Sequence, residues 1–232
     1  MLYPDFMNFS LEITVKTDLS VLPKVKDIYI TMLPGDDFRK VSNVAKELVQ
    51  SGFNPVPHFP ARSIKNLAEL KDFVIRCRDG GAKQVLVIGG SAQPIGDFHS
   101  SLQLLETGLF EGFKIGIAGH PEGSPDISDT DLEKAMIDKK SYADYIVTQW
   151  SLNAGLISDF ISKQTLPVHV GIIGPLKITS LLKFANIVGA KNSINFLKSN
   201  ATKAVDLLKP RDPNDIIEKL KGTTNNFHIY TF

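Results

Sequence analysis

Two side chains that can carry out acid–base chemistry, His120 and Glu122, come directly after a short apolar run in the sequence. The run, Lys114-Ile-Gly-Ile-Ala-Gly119, has the length and composition of a buried strand. In β/α barrels the carboxyl ends of the strands form the active site. The sequence therefore predicts that His120 and Glu122 lie at the rim of such a site.

Polar side chains recur at the ends of other apolar runs. Glu12 alternates with Leu11 and Ile13, so it is expected to point into a barrel, where a carboxylate is costly unless it is paired or used. Gln149 beside Trp150 suits recognition of the edge of a heterocycle. The other strand-end candidates are Thr31, His58, Gly89, Gly90 and Ser91.

Several of these residues also have a structural interpretation. His58 lies between two apolar neighbours and could be a hydrogen-bonded core histidine. Lys139 and Lys140 end a predicted helix, where positive charge is favourable to the helix dipole. His99, His169 and His228 lack metal-ligand spacing, so we interpret them as structural and predict no metal site.

Eight apolar, β-branched runs must position these side chains. They are Phe9–Val15, Asp27–Leu33, Asn54–Phe59, Gln84–Ile88, Phe113–Ala118, Tyr145–Trp150, Val168–Ile173 and Phe227–Phe232. Amphipathic segments at helical spacing separate most of them, with apolar faces that include Val41–Val49, Leu67–Val74, Leu102–Leu109 and Leu181–Val188. Extra short helices are expected in Lys191–Asn214. This alternation predicts an α/β fold, a (β/α)8 TIM barrel in one domain over residues 1–232, lacking the final helix after strand eight. A doubly wound open sheet is the alternative, but its glycine-rich first turn is absent.

The overall composition narrows the classes of partner. Lys and Arg total 26 and Asp and Glu total 25, a net charge of +1 that does not indicate a nucleic-acid binder. No signal peptide or run of about 20 apolar residues is visible, so we predict no membrane partner. The single cysteine, Cys77, fits a reducing cytoplasm, and we expect a cytoplasmic protein. The exposed helix faces give no decisive signal for or against a homo-oligomer, so both a monomer and a homo-oligomer stay as alternatives.

A series of strand-end motifs also resembles a known family. The motifs are Ser10-Leu-Glu-Ile13, Val56-Pro-His-Phe-Pro-Ala-Arg62, Val87-Ile-Gly-Gly90, Gly116-Ile-Ala-Gly-His-Pro-Glu-Gly123, Ala143-Asp-Tyr-Ile-Val-Thr-Gln149, Pro167-Val-His-Val-Gly-Ile-Ile-Gly-Pro175 and Phe227-His-Ile-Tyr-Thr231. In this order they are similar to the methylenetetrahydrofolate reductase family. The resemblance implies a flavoprotein oxidoreductase of one-carbon metabolism and methionine biosynthesis, with FAD as cofactor, NADH or NADPH as electron donor and folate as the small-molecule partner.

The resemblance also assigns roles to residues. Glu12 matches the family's catalytic general acid and Gln149 matches the glutamine that contacts the pterin. The cofactor-binding set that it implies is Thr31, His58, Gly89, Gly90, Ser91, His120, Glu122, Lys139 and Lys140. Ser91 and Ser124 stand where the family usually has Asp and His, which is expected to weaken reductase activity and flavin binding. The alternative function is a flavin-free folate-binding barrel, acting as an accessory or non-redox C1-transfer protein.

Overall fold

Eight parallel strands close into a barrel in the order in which they occur along the chain. The computed structural model describes residues 7–124, 127–174 and 213–231. The strands are β1 Asn8–Thr14, β2 Asp27–Thr31, β3 Asn54–Pro60, β4 Gln84–Ile88, β5 Lys114–Gly119, β6 Tyr145–Trp150, β7 Val168–Ile173 and β8 Asn226–Tyr230. The predicted TIM barrel is confirmed, and each predicted strand is present with its ends shifted by two residues at most.

Helices connect most of the strands and cover the outside of the barrel. They are α1 Phe38–Gln50, α2 Leu67–Asp79, α3 Ser101–Leu105, α4 Asp129–Lys139, α5 Ala154–Ser162 and α6 Asn214–Lys219. Five of them begin behind a side chain that accepts a backbone N–H, which satisfies a donor that the helix leaves free. These capping residues are Asp37, Asn66, Ser100, Ser128 and Asn153.

The predicted helix faces agree with the structure in part. In α1, Val41 and Leu48 are completely buried. Leu67 was predicted on the buried face of α2, but it occupies the first turn and is 44 % exposed. Helix α3 ends at Leu105, so the predicted face does not continue to Leu109. The helix predicted at 181–188 lies outside the described residues, as do all but the last two residues of the predicted 191–214 segment.

The barrel separates an apolar shell from a more polar interior. Outward side chains of the strands, such as Ile28 and Phe59, pack with the helices in the main core. The interior contains a distinct belt of Tyr29, Val56, Leu86, Tyr145 and Val147. Alternation along each strand produces the two sets, since successive side chains point to opposite faces.

Two interior glycines make room for the tyrosine rings. A methyl group at Gly116 would lie 2.6 Å from the ring of Tyr145, and one at Gly171 would lie 2.8 Å from the ring of Tyr230. Real Cβ contacts are longer than this, so no other residue fits without displacing the ring or the backbone. The lack of a side chain at Gly116 and Gly171 therefore leaves the space that the Tyr145 and Tyr230 rings occupy inside the barrel.

The described helices are short compared with the thickness of a bilayer. The longest, α1 and α2, have 13 residues each, whereas about 20 are needed to span a membrane. Among the described residues, no helix has the length and apolar character required to cross.

Candidate functional site

A buried carboxylate, Glu12, lies in the upper half of the barrel interior on β1. The register places it beside Tyr29 of β2 and Tyr230 of β8, and it is only 7 % exposed. Two imidazoles approach the same carboxylate oxygen: Nε2 of His228 lies 3.2 Å from Oε2, and Nε2 of His58 lies 3.6 Å from it. The predicted inward orientation of Glu12 is confirmed, and its charge is surrounded by groups that can stabilise it.

Burial acts on both members of the Glu12–His58 pair. It would raise the pKa of Glu12, but the hydrogen bond with His228 and the interactions with the two imidazoles outweigh it, so this pKa lies below its usual 4.5. Burial lowers the pKa of His58 to about 4, against the opposing attraction of Glu12. At neutral pH the pair therefore consists of an ionised carboxylate and a neutral imidazole.

His228 was interpreted as structural in the sequence, yet it is a direct partner of Glu12. Its Nδ1 lies 3.0 Å from Oγ of Ser10, and the ring is completely buried. The rings of Tyr29 and Tyr230 contact it edge-on, with centroids at 4.4 and 4.7 Å. The signal that could have revealed it was alternation on β8, which places His228 on the same face as Tyr230.

Strand β6 supplies a second wall of the barrel mouth. The hydroxyl of Tyr230 donates to the backbone oxygen of Thr148 at 2.8 Å, and the N–H of Gly171 donates to the Thr148 hydroxyl at 2.8 Å. The backbone N–H of Glu122 donates to Oε1 of Gln149 at 3.2 Å. Gln149 and Glu122, which the sequence placed on separate strand ends, are thus brought into direct contact.

Beyond this wall, a cavity of about 580 Å³ lies between α4 and α5. Four predicted site residues line it: His120, Glu122, Lys139 and Lys140. Lys139 is only 8 % exposed, and burial lowers its pKa. Burial and the charge of Lys139 also lower the pKa of His120, to about 4. A buried ammonium beside a cavity is favourable for an anionic ligand, because the anion would restore the stabilisation that water gives to the free ion.

The β3–β4 side of the mouth is formed by backbone. Gly90 has a φ of +87°, which other residues rarely adopt, and a methyl group there would lie 3.1 Å from Cβ of Pro60. Arg62 holds this turn by donating from Nη1 to the Gly90 oxygen at 3.3 Å. A methyl group at Gly89 would meet nothing within 4 Å, and Ser91 is exposed. The predicted ligand contacts of this turn stay a prediction.

The predicted site residues therefore fall into three groups, of which one is the turn after β4, with Gly89, Gly90 and Ser91. Glu12 and His58 are in the barrel interior, where Thr31 contributes to the lowered pKa of Glu12. The residues Gln149, Glu122, His120 and Lys139 run along the β5–β6 side, with Lys140 exposed at its edge. Among the described residues, no group of three His, Cys, Asp or Glu side chains has the arrangement of a metal site.

A closed (β/α)8 barrel with titratable side chains at the carboxyl ends of its strands is an arrangement that many enzymes share. Comparison with known proteins finds that no family model matches the chain. It resembles the solved structure of 2,3-dimethylmalate lyase, a member of the PEP mutase/isocitrate lyase superfamily, with a TM-score of 0.60 and 6 % identity over 98 % of this chain and 75 % of that one.

Two further solved structures show the same likeness. Oxaloacetate acetylhydrolase has a TM-score of 0.56 and 8 % identity, over 97 % of this chain and 75 % of that one. A protein described as a phosphonomutase from Burkholderia cenocepacia J2315 has a TM-score of 0.51 and 10 % identity, over 78 % and 83 %. At these identities the likeness establishes the barrel fold.

These findings overturn the assignment to the methylenetetrahydrofolate reductase family. The structural neighbours bear the names of a lyase, an acetylhydrolase and a phosphonomutase, none of which is a flavin-dependent reductase, and no family model supports the resemblance. The predicted flavin-dependent oxidoreductase is therefore wrong, and the flavin-free folate-binding alternative is unsupported. The physical reason is that the matched motifs are strand ends, where parallel barrels in general require apolar runs, glycines and polar residues. The predictions of FAD and of NADH or NADPH rest on that resemblance. No observation on the described residues tests them.

Proposed function

We propose that this protein is an enzyme of the lyase or mutase type, in which Glu12 transfers a proton to or from a small organic substrate. One observation carries the proposal: an ionised carboxylate is buried at the active end of a barrel between two imidazoles. Ionisable groups with shifted pKa values cluster at functional sites, because burial that is costly for stability tunes them for catalysis.

The protonation states suit a base and its partner. Glu12 is ionised at neutral pH and can accept a proton in an environment with little water. Neutral His58 lies 3.6 Å from the same oxygen, within reach of a small movement to hydrogen-bonding distance. Together they could take a proton from a substrate hydroxyl, or from a carbon next to a carbonyl group, and return it after a bond is broken.

The structural neighbours suggest a class of substrate. The names of two of them refer to oxaloacetate and 2,3-dimethylmalate, which are dicarboxylates with an oxo or hydroxyl group next to a carboxylate. Cleavage of a carbon–carbon bond beside a hydroxyl group begins when a base removes the hydroxyl proton; oxaloacetate gains such a hydroxyl when water adds to its oxo group. The electrons of the broken bond leave with the other fragment as an enolate, which then takes up the proton. We propose that Glu12 acts at this step on a substrate of this class.

The cavity between α4 and α5 supports binding of an anionic group. Lys139 is a buried cation beside that cavity, and His120, Glu122 and Lys140 complete one side of it. We propose that Lys139 binds a phosphate or carboxylate of a ligand there. Glu122 would hold this side of the cavity against the end of β6, because its carboxylate accepts a 2.5 Å hydrogen bond from the Ser151 hydroxyl.

The experiment is an NMR assay in D2O with oxaloacetate and, separately, with 2,3-dimethylmalate. Cleavage products and deuterium incorporation are followed against a sample without protein, since oxaloacetate also reacts spontaneously. The proposal predicts that the protein accelerates cleavage or exchange of at least one compound. Rates equal to those of the protein-free sample for both compounds would reject this substrate class.

A further inference from the structure

The imidazole of His228 is held at both of its nitrogens. Nδ1 lies 3.0 Å from Oγ of Ser10, and Nε2 lies 3.2 Å from Oε2 of Glu12. The side chain is completely buried, and the rings of Tyr29 and Tyr230 restrict its orientation. These contacts fix the plane of the ring. Which ring nitrogen carries a hydrogen then determines whether His228 can donate a hydrogen bond to Glu12.

The partners determine where that proton lies. An ionised carboxylate accepts hydrogen bonds and cannot donate them, so Nε2 must carry a hydrogen to bond with Glu12. Nδ1 can then accept the hydrogen of the Ser10 hydroxyl. Among the described residues, the hydroxyl has one other acceptor within reach, the backbone oxygen of Phe227 at the longer distance of 3.4 Å. The 3.0 Å contact with Nδ1 keeps the Ser10 hydroxyl beside the ring, whichever of the two atoms carries the hydrogen.

We propose that Nε2 of His228 carries a hydrogen that it donates to Glu12, and that His228 is a positioning residue for Glu12, held in place by Ser10. The inference rests on the proposed function of Glu12 as a proton-transfer group. It assigns different tasks to the two imidazoles. His228 orients the carboxylate. Nε2 of His58 has no hydrogen-bond partner among the described residues, so it can form a hydrogen bond with a substrate.

Several groups face Glu12 besides His228. His58 comes from β3, Thr31 and Tyr29 from β2, and Tyr230 from β8. Burial raises the pKa values of Tyr29 and Tyr230 well above that of free tyrosine, so both phenols are uncharged at neutral pH. His58 is also neutral there. A change in the ionisation of Glu12 on replacing His228 therefore reports mainly on the lost hydrogen bond.

The tautomer can be observed directly by NMR of protein labelled with 15N-histidine. The chain has five histidines, and the signal of His228 is identified by its loss in His228→Gln. At pH 7 we expect the coupling pattern of a ring that carries a hydrogen on Nε2. A ring protonated at Nδ1 alone would overturn the proposal.

The positioning role is tested by titrating the Glu12 carboxyl with 13C-labelled glutamate, assigned with Glu12→Gln. We expect His228→Leu to raise the Glu12 pKa, changing its acid constant roughly tenfold or more, since the hydrogen bond is lost while burial remains. In His228→Gln the amide can still donate a hydrogen bond, so the Glu12 pKa should stay close to that of the wild type. Ser10→Ala keeps the shape and should give a smaller rise. An unchanged Glu12 pKa in both His228→Leu and Ser10→Ala would contradict the role.

These readouts do not depend on turnover. If the NMR results agree with the proposal but Glu12→Gln retains full activity, the proposed function fails while the tautomer assignment stands. If Glu12→Gln is inactive and the tautomer is different, the positioning role of His228 fails by itself.

Discussion

Nε2 of His58 lies 3.6 Å from Oε2 of Glu12, and no described residue forms a hydrogen bond with this nitrogen. A buried polar atom without a partner is uncommon, because leaving it unpaired costs about 1–3 kcal/mol. Active sites retain such atoms when a substrate supplies the missing partner. His58 and Glu12 thus form an incomplete pair, which a ligand with a hydroxyl or carbonyl group could complete.

The low pKa of His58 predicts that acid destabilises the fold. Its pKa is about 4 in the folded protein and about 6.5 when unfolded, so between these values the unfolded chain binds the additional proton. The free energy of unfolding should therefore fall as pH decreases from 6.5 to 4, with His58 contributing about 1.4 kcal/mol per pH unit. Urea unfolding of His58→Gln should show a shallower dependence, while exposed His99→Gln should match the wild type. Equal slopes in all three proteins would contradict the assignment.

A pair of tyrosines links opposite parts of the barrel. The Tyr29 hydroxyl donates to the Tyr145 hydroxyl at 3.2 Å inside the barrel. We expect Tyr145→Phe to lower the free energy of unfolding by about 1–3 kcal/mol, since the Tyr29 hydroxyl then has no acceptor in that direction. In a double-mutant cycle, Tyr29→Phe combined with Tyr145→Phe should cost less than the sum of the two single changes. Simple additivity would show that the hydroxyls are not coupled.

The interior glycines make a steric prediction. Gly116→Ala should destabilise the protein by about 1–3 kcal/mol, because the methyl group would lie 2.6 Å from the Tyr145 ring. Gly89→Ala is the matched control, as its methyl group would meet nothing within 4 Å. Thermal unfolding of both variants measures the difference. Similar melting temperatures for the two variants would mean that the interior packing is looser than described.

We expect Lys139 to lower the free energy of unfolding and to favour the binding of an anion. Replacing it with Met removes a buried cation but keeps the side-chain length, so Lys139→Met should unfold with a free energy equal to or about 1 kcal/mol above that of the wild type. Its affinity for pyrophosphate, measured by calorimetry, should fall. Exposed Lys134→Met, on the same helix but outside the lining of the cavity, is the control and should retain binding. If Lys139→Met lowers stability and leaves binding unchanged, the helix-dipole interpretation of Lys139 is correct.

The barrel could be predicted because its signals are local and repeated. Strands such as Gln84–Ile88 and Val168–Ile173 are short apolar runs whose ends are marked by polar residues or glycine, and these bounds match the structure. Alternation around Leu11 and Ile13 also predicted that Glu12 points inward. Each of these inferences depends on neighbours in the sequence.

The contacts within the site depend on distant parts of the chain. His228 and Ser10 are 218 positions apart and meet because β1 pairs with β8 when the barrel closes. Alternation on β8 places this histidine inside the barrel, but no local pattern shows that it meets Ser10 and Glu12 there. The family resemblance failed for a related reason: its motifs were strand ends, which indicate a barrel and carry little information about the chemistry performed in it.

The central claim is that Glu12 performs the proton transfer. The most direct measurement is the rate of substrate cleavage or deuterium exchange, in the NMR assay described above, for wild type, Glu12→Gln and Asp27→Asn. Asp27 is a matched control: it lies on β2 at the opposite end of the barrel, where it accepts hydrogen bonds from Asn54 and Gln84. We predict that Glu12→Gln lowers the rate by about 10²–10⁴-fold, as expected for loss of a general base, and that Asp27→Asn remains close to wild type. A folded Glu12→Gln protein with the wild-type rate would contradict the account.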